Sequence, residues 1–103
     1  MILICKVVEN QNNDKKHKII KLIAKDNFDK KNNEEIIESC DCQDFCEKLP
    51  EMFKTIINKT GGQNKIDKII LDFDETKNIT TKRILMSFLC GYMQNTELVK
   101  QYL

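Results

Sequence analysis

The sequence predicts a small α/β (or α+β) fold, in which a mixed sheet with an N-terminal hairpin carries two main helices. Three observations point there. Two β-rich runs near the start, residues 2–8 and 18–24, flank a polar stretch of turn formers. Two later stretches repeat apolar residues at steps of three and four, the period of a helix with one buried side. Between those two stretches lies a third β-rich run, residues 68–73.

Taken in order, the first two runs form an antiparallel hairpin. Residues 9–17 are expected to be its long, mobile tip. The strands are denser in apolar residues than strict alternation gives, so at least one sheet face is covered. Residues 25–42 are less legible: Phe28 is the expected anchor of a loop, and Glu34-Glu35-Ile36-Ile37-Glu38 suits either a short edge strand or a helical turn. Phe45, Leu49, Met52, Phe53, Ile56 and Ile57 then form a helical stripe. Pro50 interrupts it, and proline is cheap only in a first turn, so the main helix is expected to start near Leu49. Residues 43–48 would be a separate turn or the upper limb of a kink. Gly61 suits a left-handed cap at its end.

The run from Lys68 to Phe73 has the look of a central strand buried on both faces, with Ile70, Leu71 and Phe73 in the core. If it lies parallel beside the strand preceding the helix, that helix is a right-handed crossover. Asn78 or Thr80 can cap a second helix, whose stripe is Ile84, Leu85, Phe88, Leu89, Tyr92 and Met93. Leu98, Val99, Tyr102 and Leu103 continue the spacing, which predicts a short third helix capped by Asn95 or Thr96.

Size and charge narrow the function classes. At 103 residues the chain holds one core, hence a single domain over 1–103. Its 17 basic and 16 acidic residues nearly cancel, and Arg83 is the only arginine. Nucleic-acid binding usually brings a basic excess and arginine forks, so no nucleic-acid partner is expected. No apolar stretch is long enough for a membrane span, and residues 1–8 read as a strand rather than a signal peptide. The five cysteines are an odd number without a secretory signal, which points to free thiols in the cytoplasm rather than a disulfide framework.

Three constellations are chemically suggestive. Ile69-Ile70-Leu71-Asp72-Phe73-Asp74-Glu75-Thr76 resembles the nucleophile signature of haloacid-dehalogenase-like phosphatases, an apolar strand ending in Asp-x-Asp-x-Thr. That resemblance implies Asp72 as nucleophile, Asp74 as general acid/base and Mg²⁺ between them. The hydroxyl, lysine and second acidic cluster of such an enzyme have no room in the residues that follow, so a polar turn is the preferred reading. Cys40, Cys42 and Cys46 form a thiol cluster to which zinc could bind, with His17, Cys5 or Cys90 as fourth ligand. Their spacing is not that of a knuckle, and buried or structural thiols are preferred. His17 stands among lysines, without a neighbouring carboxylate to orient it, and reads as a solvated loop residue. Gly61-Gly62 follows a helix where a phosphate cradle would precede one, and reads as a turn.

The stretch from Lys65 to Thr81, polar helix end, apolar strand, turn, then hydroxyl residues opening a helix, resembles the STAS domain of anti-sigma-factor antagonists and sulfate transporters. The resemblance extends over roughly residues 18–95. It implies a regulatory module with a phosphorylation switch at Thr80 or Thr81, although Asn78-Ile79 stands where the family has its Asp. The expected function is therefore a non-enzymatic regulatory or adaptor module that binds another protein. Metal-dependent phosphoryl transfer at Asp72 and Asp74, and a zinc-binding module at Cys40, Cys42 and Cys46, are the alternatives. No cofactor is required by the leading reading.

Overall fold

The computed structural model describes residues 1–12, 15–25, 35–62, 65–93 and 97–100; of residues 10–12, 15 and 16 it describes the backbone alone. The elements run β1 (Ile2–Asn12), β2 (Lys15–Lys25), β3 (Ile36–Asp41), a 3₁₀ turn (Cys42–Asp44), α1 (Phe45–Thr60), β4 (Lys68–Asp72), α2 (Ile79–Tyr92) and α3 (Glu97–Lys100). The four strands form one mixed sheet in the order β3-β2-β1-β4. β1, β2 and β3 are an antiparallel meander, while β4 returns parallel to β1. The small α/β fold expected from the sequence is the one observed.

Several local expectations change. Pairing of β1 with β2 continues to Asn12 opposite Lys15, so most of the stretch expected as a mobile tip is strand. Residues 13 and 14, like Phe28, Asn95, Thr96, Tyr102 and Leu103, lie outside the described residues. The ambiguous Ile36-Ile37 pair is in β3, where it lies opposite Ala24 and Ile23. The main helix starts at Phe45, not near Leu49, and contains Pro50 in its second turn. Phe45 and Leu49 are 0% and 1% exposed, and burying two such side chains gains about 3–6 kcal/mol, more than the roughly 3 kcal/mol an internal proline costs. The left-handed cap falls at Gly61 as expected, with φ 94° and its N–H donated to the Ile57 carbonyl.

β4 is an edge strand of the described sheet, not a central one, and α1 does not join neighbouring strands. It leaves β3 and reaches β4 on the far side of β2 and β1. Successive side chains of a strand point to opposite faces. On one face lie Leu3, Cys5, Ile20, Leu22, Ala24, Cys40 and Ile69, all buried in a single core with Phe45, Leu49, Phe53 and Ile56 of α1 and Leu85, Met86 and Leu89 of α2. Val99 of α3 joins the same core. Both long helices therefore cover this face. They meet through an aromatic trio, in which Phe53 sits edge-on to Phe88 and Tyr92 at 5.4 and 5.1 Å between ring centres. The core residue of β4 is Ile69, 2% exposed, whereas Ile70 points to the opposite face and is only half-buried. Leu71 and Phe73 pack at the margin of the core.

Candidate functional site

β1, β3 and β4 point the same way, and their C-terminal ends form the end of the sheet where ligands of α/β proteins usually sit. Several residues singled out in the sequence converge there. His17 is on β2, not in a loop, and its Nε2 lies 2.8 Å from an Asp41 carboxylate oxygen. The orienting carboxylate missing from its sequence neighbourhood is thus supplied by the end of β3. Lys18 donates from Nζ to the Asn78 side-chain oxygen at 3.3 Å, tying the hairpin to the opening of α2. Cys42 Sγ lies 3.9 Å from the Thr81 hydroxyl, tying the 3₁₀ turn to the first turn of the same helix. A shallow hollow of about 270 Å³ lies between Glu9, His17, Lys18, Asp41, Cys42 and Gln43. The imidazole and carboxylate are both open to solvent, and among the described residues no nucleophile is hydrogen-bonded to the pair.

The other candidates are placed apart. Asp72 is exposed, 3.7 Å from Lys6 Nζ. The Asp74 carboxylate is taken up by its own turn, accepting from the Thr76 hydroxyl at 2.6 Å, the Thr76 N–H at 3.0 Å and the Lys77 N–H at 3.4 Å. Those bonds, the Thr76 hydroxyl first, hold its pKa below the ordinary carboxylate value. Its backbone carbonyl accepts from Asn78 as well, so this acid shapes the entry to α2. Cys40 is buried in the core, Cys42 is half-buried and Cys46 is exposed on α1. Among the described residues no three His, Cys, Asp or Glu side chains come together to hold a metal ion. All five cysteines are free. Burial, with Cys40 nearby, pushes the Cys5 thiol up to about 12, far from a reactive thiolate. At the opening of α2, Thr80 is exposed and Thr81 is 4% exposed.

The second region was not singled out from the sequence. The sheet face turned away from the helices presents Ile70, Ile4, Ile23 and Ile37 in one row, each directly opposite the next across all four strands. None of the four belongs to the core or packs against it. Ile37 is 49% exposed and the other three are half-buried. Lys68, Ile2 and Lys25 make the register row on one side; Asp72, Lys6 and Lys21 make the row on the other. A separate open groove of about 440 Å³ runs between α1 and α2 past Cys46, Pro50, Arg83 and Ser87. The signal for the isoleucine row was present in the strand runs, whose alternate residues are apolar on both faces.

No family model, curated protein or solved structure matches the chain. Among the described residues no helix is long and apolar enough to cross a membrane.

Proposed function

We propose that the chain is a non-enzymatic regulatory or adaptor module that binds another protein through the sheet face turned away from its helices. The isoleucine row carries this reading. Four β-branched side chains in register across the whole sheet form a contiguous apolar band, and bands of this kind on a folded surface mark places where something docks. The STAS-like resemblance supports a regulatory role, and in that reading exposed Thr80, rather than buried Thr81, is the hydroxyl open to modification.

The test starts by recovering and purifying a binding partner from the native host. Its affinity is then measured for wild type, for Ile23→Asp on the sheet face and for Ser87→Asp in the helix groove, with thermal melting of all three. Loss of affinity at Ile23→Asp, with melting preserved and Ser87→Asp unaffected, supports the sheet face. Loss at Ser87→Asp alone transfers docking to the helix groove.

A further inference from the structure

From the charges that border the isoleucine row, we infer that the occupant of this face is an amphipathic helix of a partner protein, with acidic residues on both sides of its apolar stripe. The inference rests on the docking reading above and adds the chemistry of the partner. Four lysines, Lys6, Lys21, Lys25 and Lys68, surround the row, and Asp72 is the acid in register with them. Asp72 is 3.7 Å from Lys6. Among the described residues no ion pair engages Lys21, Lys25 or Lys68. Among the strand residues of this face whose side chains are described, four lysines thus stand against Asp72 and Asp41, and Asp41 is already bonded to His17.

The spacing suits a helix. Side chains two residues apart on a strand are separated by about 6.6 Å, so the lysine rows stand roughly 13 Å apart with the isoleucines midway. A helix with its side chains is about 10–12 Å across and fits between them. The row spans three strand spacings, about 14 Å, which matches roughly nine helical residues and places apolar contacts at steps of three and four. Acidic residues flanking that stripe would lie against the lysine rows.

A second copy of this chain is a poorer occupant. Stacked about a two-fold axis along the row, Lys21 of one copy meets Lys25 of the other. Stacked about an axis along the strands, Lys6 meets Lys21. In the first arrangement Asp72 also meets Lys68, so the charges cancel; in the second like charges oppose stacking, and neither gives the net attraction an acidic helix would.

The probe is a fifteen-residue peptide, held helical by a side-chain staple, with leucines along one face and glutamates on both flanks. Its counterpart carries lysines in place of the glutamates. Fluorescence anisotropy should show the glutamate peptide binding at least about tenfold more tightly, the sum of several modest surface pairs, with the difference shrinking as salt is raised. The Lys21→Glu/Lys25→Glu double variant should abolish the preference while leaving the melting temperature nearly unchanged, and Ile23→Asp should abolish binding of both peptides. Equal, Ile23-dependent binding of the two peptides would overturn the acidic partner and leave the docking face standing. Binding of neither peptide would overturn the helical occupant. Retention of the native partner by Ile23→Asp would remove the docking face itself. Co-sedimentation with phosphatidylserine vesicles in preference to the glutamate peptide, or concentration-dependent dimerisation, would replace the proposed occupant by a membrane or a second copy.

Discussion

The two faces of the sheet are built from nearly the same residues and have opposite fates. On β2, Leu22 and Ala24 are 0% and 2% exposed beneath α1, while Ile23 between them is half-buried on the other side. On β4, Ile69 is 2% exposed and its neighbour Ile70 is not in the core. Hydrophobicity therefore did not decide which face was covered; the positions of the helices did. An apolar side chain left half-buried by folding retains part of its hydrophobic free energy for a later contact, and this separates the isoleucine row from core residues of the same type.

The sharpest way to break the comparison is to truncate neighbours on β4. Ile69→Ala is expected to cost about 2–5 kcal/mol, as deeply buried isoleucines do, and Ile70→Ala less than about 1.5 kcal/mol. Equal losses in urea denaturation would show that the far face is packed as tightly as the near one.

The same contrast extends to the opening of α2. Thr81 is buried against Cys42, so Thr81→Asp, which forces a charge into that contact, should cost roughly 2 kcal/mol or more. Thr80 is exposed in the first helical turn, where an acid suits the helix dipole, and Thr80→Asp should change stability by less than about 1 kcal/mol. Similar melting temperatures for the two variants would contradict the burial of Thr81.

The mildest probe is alkaline pH. In the unfolded chain the Cys5 thiol ionises around 9.0, and in the fold it does so near 12, so the neutral form is favoured by folding. Its contribution is complete below the unfolded value and is lost as pH rises through the folded one, at about 1.4 kcal/mol per pH unit in between. Stability should therefore fall more steeply from pH 9 to 12 in wild type than in Cys5→Ala, although the variant starts lower. A disulfide-exchange reagent at pH 8 should modify exposed Cys46 and Cys90 quickly, and Cys5 only after denaturation. Prompt labelling of Cys5 would show that the helix-covered face opens readily.

The fold class, the two amphipathic helices and the Gly61 cap were legible in the sequence because each depends on local spacing. The side of β4 that faces the core was not legible, since Ile69, Ile70 and Leu71 offer apolar side chains in both directions. The start of α1 was obscured by Pro50, whose local cost is outweighed by the joint burial of Phe45 and Leu49. His17 was misplaced for a related reason: its partner Asp41 lies on another strand, and only the β2–β3 register brings them together. Sequence neighbours are a poor guide where a site is assembled by pairing.

The strand order also bears on how the chain acquires its surface. β1, β2 and β3 follow one another and pair with their neighbours, with two residues between the first pair and ten between the second. β4 must find β1 after the whole of α1 has been made, a non-local pairing that forms slowly relative to hairpins. Because Ile70 belongs to β4, the isoleucine row is three strands wide until that pairing occurs. In the proposed docking role, recognition by the whole row would therefore require the completed sheet.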